Sequence, residues 1–254
     1  MSERTYEGQL AETITLLGHE GALIDAYAAR PLGRLGVPGV VVLHHMPGWD
    51  EWSKDVVRKL AHHGYAALCP HLFSRLGAGR WDDLAAAARS AGGMPDAQVM
   101  GDLAACADLL RRQPYANGKI GVIGFCSGGR QAYLAACTLN GLDAAVDCWG
   151  GRVVVGPEGL TERQPRAPID FTPQMRAPLL GIFGNEDANP DPAQVDHIEA
   201  ELKRHGKDYE FHRYDGAGHG FFATDRPGYR QAQAVDGWQR VFAFFERHLA
   251  GAAG

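Results

Sequence analysis

The chain has 254 residues, long enough to bury a full hydrophobic core, and residues 1–254 are read as a single domain. A formal net charge of −5 gives no basic footprint for nucleic acid or for an anionic membrane surface. The five cysteines (Cys69, Cys106, Cys126, Cys137, Cys148) are odd in number and lack a CxxC pair, which points to a reducing compartment rather than a disulfide framework.

The N-terminal stretch "MSERTYEGQLAET" is polar and of mixed charge, unlike a signal or transit peptide. No apolar run reaches the ~18 residues of a membrane span. The expectation is a soluble cytoplasmic protein.

In chain order, "TITLL" and "ALIDAYAA" read as two N-terminal strands. "GVVVLHH" (39–45) reads as a buried strand opening into the loop "MPGWD". Asp50 is a candidate N-cap for "EWSKDVVRKLAHHG", whose Val56, Val57 and Leu60 form an apolar face before Gly64. "YAALCP" is the next strand, followed by a long connection, "HLFSRLGAGRWDDLAAAARSAGGMPD". A helix over 97–112 feeds the strand "KIGVIGF", and a helix over 128–139 follows it.

"AAVDCWGG", "APLLGIFGNED" and "YEFHRYDGAGH" supply three later strands, with helices over 193–205 and 231–249. A second long connection, "GRVVVGPEGLTERQPRAPIDFTPQMRA", precedes "APLLGIFGNED". Both connections are expected to wall a pocket, because long ordered loops in compact domains are commonly binding loops. The alternation of strands and helices predicts an α/β fold: a mostly parallel central sheet with helices on both faces, a three-layer sandwich.

Within "IGVIGFCSGGR", Gly124-Phe125-Cys126-Ser127-Gly128 has the G-x-nucleophile-x-G form of an α/β-hydrolase elbow, with cysteine as the nucleophile. That fold requires nucleophile, acid and histidine in this chain order. Asp187 in "GNED", with Glu186 as its rival, and His219 in "GAGHGFF" follow in the required order, each just past a strand.

A thiol is largely protonated at neutral pH, so an adjacent imidazole and the start of a helix both favour the thiolate. An aspartate on the far ring nitrogen fixes the tautomer. The backbone N–H groups of Ser127 and Met46 are the expected oxyanion donors. A thiolate usually leaves more easily than a simple alkoxide, so acyl transfer from cysteine favours an activated ester or lactone as the small-molecule substrate. No cofactor is required.

The segments "QPYANGKIGVIGFCSGG", "HGYAALCPHLF", "GNED" and "AGHGFF" resemble the dienelactone hydrolase (carboxymethylenebutenolidase) family of α/β-hydrolases, from about Val40 to the C-terminus. The resemblance implies a Cys-Asp-His triad at Cys126, Asp187 and His219 that opens an enol-lactone through an acyl-cysteine. Two departures stand out. His45 occupies the position of a glutamate that manages the cysteine proton in the lactone-opening prototype, and Ala223 replaces one of the arginines that hold the substrate carboxylate. The second departure predicts weak use of dienelactone itself.

His45 is therefore expected at the pocket as a tuner of the thiol. Trp49 and Trp149 are expected as pocket residues, with Arg75, Arg80 or Arg226 as substitutes for the missing arginine. Two further readings compete: a ligand-binding or regulatory protein that has lost turnover, and a metal-dependent hydrolase with His44, His45 and either His71 or His219 as ligands. The second is weakened because adjacent strand residues point to opposite faces.

Overall fold

The computed structural model describes residues 8–251. Eight strands form one sheet: β1 (Gln9–Leu17), β2 (Leu23–Pro31), β3 (Val37–Leu43), β4 (Ala66–Pro70), β5 (Ala116–Phe125), β6 (Ala144–Cys148), β7 (Leu179–Gly184) and β8 (Tyr209–Tyr214). Six α-helices accompany them: α1 (Glu51–His62), α2 (Trp81–Ser90), α3 (Asp96–Arg111), α4 (Ser127–Thr138), α5 (Pro192–Arg204) and α6 (Gln231–Leu249). The strand order is β1-β2-β4-β3-β5-β6-β7-β8, with the β1–β2 and β2–β4 pairs antiparallel and the remaining neighbours parallel.

The polarity of each strand follows from its place. β3, β4, β6 and β7 are buried along their whole length and read as continuous small or branched apolar runs, as parallel strands covered on both faces must. β1 is largely exposed, its burial limited to alternate residues near its end, as suits an edge strand. Helices α1 and α6 cover one face through Val56, Val57, Leu60, Val241, Phe244 and Phe245. The other face is covered by α3, α4 and α5 through Val99, Leu103, Ala132, Tyr133, Ile198 and Leu202. The fold class is the expected α/β one.

Helix starts follow local chemistry. Asp50 caps α1 by accepting from Ser53 N at 3.0 Å. Asp191 and Gln194 close a reciprocal capping box on α5, with Pro192 in its first turn. The first long connection contains a helix that hydrophobic periodicity does not announce, α2. Its buried face is Leu84, Ala85 and Ala88, and two of those three side chains are too small to mark a stripe.

Of the N-terminal stretch read as non-targeting, residues 1–7 lie outside the described ones. Among the described residues no helix is long and apolar enough to cross a membrane.

Arg75, expected near the pocket, is a fold-stabilising residue instead. Its guanidinium donates to both oxygens of Asp102 (2.8 and 2.9 Å) and to the His19 carbonyl, while His19 N donates to the same carboxylate at 2.8 Å. Asp102 is fully buried on α3, so its charge depends on these donors. Arg75→Met is expected to destabilise the protein by about 3 kcal/mol in chemical denaturation, because it strands a buried carboxylate. Activity per folded molecule is expected to be unchanged.

Candidate active site

β5 ends at Phe125 and α4 begins at Ser127, so Cys126 must reverse the chain alone. It does so at φ 55°, ψ −117°, a conformation that costs a non-glycine residue and persists only where its surroundings enforce it. Enforcement comes from small neighbours. A Cβ on Gly124 would lie 1.9 Å from the Gly128 carbonyl oxygen, and one on Gly128 would lie 2.1 Å from that of Leu43. The glycines let the first turn of α4 press against the ends of β3 and β5. Cys126 N donates to the Cys148 carbonyl at 3.0 Å, and Arg130 N donates to the Cys126 carbonyl.

Cys126 is the half-buried cysteine of the five; the others are buried and free. Burial pushes the thiols of Cys69, Cys106, Cys137 and Cys148 up, that of Cys137 to about 12, so they remain inert.

Asp187 follows β7 and His219 lies in the loop after β8. Close approach of the two loops depends on Gly184, where a Cβ would sit 2.3 Å from the Ala217 carbonyl oxygen. Glu186 N donates to that same carbonyl at 2.9 Å, while its side chain faces solvent. Asp187 is buried, accepts from Asn189 N at 2.9 Å through Oδ1, and accepts from His219 Nδ1 at 2.8 Å through Oδ2. A carboxylate can only accept here, so Nδ1 carries the proton and Nε2 is left for Cys126.

Burial pulls the His219 pKa down. Hydrogen bonds to Asp187 and Cys126, with the charges of both, outweigh it and push the imidazole up to about 10. The ring is thereby prepared to be an imidazolium at neutral pH.

A cavity of about 440 Å³ opens beside Cys126. Met46 and Ser127 line it, so the two residues whose N–H groups were expected to face an oxyanion share a wall with the thiol. Both long connections contribute: Arg89, Gly92 and Gly93 from the first, and Gly151, Arg152, Gly159, Thr161 and Gln164 from the second. The two are latched where Thr161 Oγ1 donates to the Gly92 carbonyl at 2.8 Å and Asp96 N donates to the Arg163 carbonyl at 2.9 Å.

His45, Trp49, Trp149, Arg75 and Arg80 do not line this cavity. His45 Nε2 bonds Asp50 Oδ2 at 2.6 Å, and that carboxylate also accepts from Ser53 and from Arg226 Nη2 at 3.2 Å. Burial raises the Asp50 pKa, but the bonds from His45 and Ser53 win and bring it down to about 2. His45 and Arg226 are thus engaged by Asp50. Trp49 donates its indole N–H to the Cys69 carbonyl at 3.0 Å and stacks on His71. Trp149 is fully buried among Phe125, Phe221 and Phe222 and touches the site only as a packing surface edge-on to His219, at 6.4 Å. Arg75 is tied to Asp102 as described, and Arg80 is exposed at the start of α2.

Of the proposed metal ligands, His45 and His219 are held by Asp50 and Asp187, and His44 is engaged as well. His44 is buried and kept neutral, its pKa lowered to about 3 by burial; Nδ1 donates to the His45 carbonyl and Nε2 accepts from Leu72 N. Among the described residues no three His, Cys, Asp or Glu side chains cluster to hold a metal ion.

Sequence reasoning missed the cations that do reach the cavity. Arg130 is buried and clamped by Asp96, with Nη2 donating at 3.0 Å, while Gln131 donates to the same carboxylate. Arg89 and Arg152 are exposed on the wall. Arg152 bonds the Gly159 carbonyl, and among the described residues neither arginine meets a carboxylate. Among the described residues no acidic side chain lines the cavity. The signal available in the sequence was the scattered arginines of the two long connections and Arg130 just after the elbow, without anything to say which ones turn inward.

Comparison with known proteins fits this arrangement. Residues 24–249 match the profile of the dienelactone hydrolase family. A Salmonella typhimurium protein named "putative carboxymethylenebutenolidase" is 34% identical over 249 residues, covering 96% of this chain and 90% of that protein. A Bradyrhizobium protein named "probable 2-oxo-3-(5-oxofuran-2-ylidene)propanoate lactonase" is 29% identical over 248 residues, covering 94% and 97%.

Among solved structures, a "putative dienelactone hydrolase" from Klebsiella pneumoniae superposes with a TM-score of 0.86 at 31% identity, covering 95% of this chain and 100% of that one. With its sheet order, its turn at Cys126 and a match over nearly its whole length, the chain belongs to the dienelactone hydrolase family of α/β-hydrolases.

Proposed function

We propose that this hydrolase cleaves activated esters or lactones through an acyl-cysteine intermediate, with Cys126, Asp187 and His219 as its triad. The observation that carries the reading is Cys126 on a forced elbow, electrostatically linked to a His219 whose Nδ1 is held by a buried Asp187.

The Cys126 thiolate adds to the carbonyl carbon, and the N–H groups of Ser127 and Met46 receive the charge that develops on oxygen. Collapse expels the alkoxide or enolate, which takes a proton from the His219 imidazolium, and a thioester remains. Neutral His219 then removes a proton from water as it attacks the thioester. Collapse of the second tetrahedral species releases the acid, with Cys126 leaving as the thiolate paired to the imidazolium. Asp187 holds the ring through both steps.

The cavity wall suggests the rest of the substrate. Among the described residues Arg89 and Arg152 meet no carboxylate, in a protein of net charge −5, and the space they line holds no acidic side chain. They supply the anion-binding role that Ala223 cannot, and they favour an ester or lactone with a carboxylate away from the reacting carbonyl.

Three outcomes test this reading. Cys126→Ala should abolish turnover of a neutral aryl ester, and the unaltered protein should show an acyl-enzyme burst; persistent turnover in the variant would exclude a cysteine nucleophile. The steep alkaline fall of kcat/KM should come as pH rises toward about 10, where His219 loses the proton it donates to the leaving group. Asp187→Asn should lower kcat by about 10²-fold and move that alkaline limb to lower pH, since the carboxylate is a main support of the imidazolium.

For an anionic aryl ester, Arg89→Gln combined with Arg152→Gln should raise KM by roughly tenfold, one lost charge-assisted contact in size. KM for the neutral ester should not change.

A further inference from the structure

Asp147 is a buried acid that the chemistry above leaves unused. It is the fourth residue of β6, and its strand neighbours are Gly124 on β5 and Gly181 on β7. Its carboxyl occupies space that glycines leave open. A Cβ on Gly129, in the first turn of α4, or on Gly150, just past β6, would come within 2.4 Å of Oδ1. Gly150 N donates to Oδ1 at 2.7 Å. Oδ2 is buried with no hydrogen-bond partner among the described residues, and no cation pairs with the group.

The chain around Asp147 supports the site from behind. The next residue, Cys148, offers the carbonyl that receives Cys126 N. Trp149 at φ 44° and Arg152 at φ 64° bracket a tight reversal through Gly150 and Gly151. That reversal sets the Trp149 ring edge-on to His219 and places Gly151 and Arg152 on the cavity wall. The hydrogen bond from Gly150 N to Asp147 is the side-chain tie that holds it.

We propose that Asp147 is a positioning residue that works as a neutral carboxylic acid: it fixes the 149–152 reversal behind Cys126 and His219, and its ionisation limits the enzyme on the alkaline side. The proposal rests on the cysteine mechanism for its catalytic part only.

A carboxylate with one donor, no cation and no solvent is costly, so the group is held neutral by its surroundings. Burial pushes its pKa up to about 7, partly offset by the Gly150 N–H. The titratable groups coupled to it are Tyr133 on α4 and the adjacent Cys148; burial pushes both up and keeps them neutral, and the facing positions on β5 and β7 are glycine. When Asp147 does ionise, its charge lies by the first turn of α4. It then opposes the negative charge on Cys126 and on the oxyanion at the same helix end.

The sign follows from proton uptake. Between the ordinary carboxylate pKa and about 7, the native state binds a proton that the unfolded chain has lost. Native stability therefore falls as pH rises through that window.

The test compares the unaltered protein with Asp147→Asn, which keeps the acceptor and stays neutral, and Asp147→Ala, which loses the acceptor. Melting temperature is followed from about pH 5 to about pH 9, together with kcat/KM on a neutral aryl ester, and the Asp147 carboxyl carbon is titrated by NMR in the unaltered protein. The expected result is a Tm that falls with pH in the unaltered protein relative to Asp147→Asn, and a carboxyl that titrates near neutrality. In kcat/KM, Asp147→Asn should match the unaltered enzyme near pH 6 and exceed it above pH 8, by about threefold. Asp147→Ala should be lower at every pH.

Parallel Tm profiles, or a carboxyl already ionised at about pH 5, would overturn the neutral-acid proposal. Equal activity of the Ala and Asn variants would overturn the positioning role. The Tm and NMR measurements read Asp147 whether or not Cys126 proves to be the nucleophile, so failure of the two proposals can be told apart.

Discussion

The structure depends on one constraint: the chain must reverse in a single residue between β5 and α4. Cys126 occupies a left-handed conformation that its side chain disfavours, and the fold tolerates it because Gly124 and Gly128 allow contact with backbone carbonyls that any Cβ would block. Much else follows from that contact. α4 is driven into the middle of the molecule, buried from Gly128 to Cys137, with its N-terminus at the end of β3. The thiol is left at the sheet edge where the loops after β7 and β8 deliver Asp187 and His219. Strain at Cys126 and burial of α4 are two aspects of one arrangement, since the helix can approach the sheet so closely only if the turn is that tight.

This explains what could be read in the sequence. The elbow is a local pattern, and its partners are found by chain order along a parallel sheet, so Cys126, Asp187 and His219 can be picked out without coordinates. The ends of the last helix and the cap at Asp50 are likewise local and agree with the structure. Helix α2 escaped because alanine leaves little periodic contrast. The pocket arginines escaped for a different reason. A guanidinium reaches several ångströms, and its destination depends on which carboxylate the tertiary fold brings near. Arg75 finds Asp102, 27 residues away in sequence, and Arg226 finds Asp50. No spacing rule encodes those meetings.

The two departures from the prototype follow the same physics. Ala223 is buried beside Phe221, Phe222 and Trp238, in a cluster with no room for a solvated cation. The cation that follows His219 is instead Arg226, and Asp50 claims it together with His45. Where the prototype sets a glutamate, this chain sets an imidazole and supplies the negative charge five residues later, held low by His45 and Ser53. That charge is committed to its own donors, so Asp50 is poorly placed to accept the thiol proton.

In the proposed mechanism, management of the Cys126 proton then falls to His219. Its pKa is raised because both nitrogens face acceptors, Asp187 on one side and Cys126 on the other. Such a pair needs no glutamate, but it does need an environment in which negative charge on sulfur is not opposed. The absence of acids from the cavity lining among the described residues, the start of α4 and the cations Arg89 and Arg152 all act in that direction. Asp147, on β6 against the first turn of α4, is the exception. The chain can keep it there only as long as burial keeps it uncharged, which ties the electrostatics of the nucleophile to an acid that never touches the substrate.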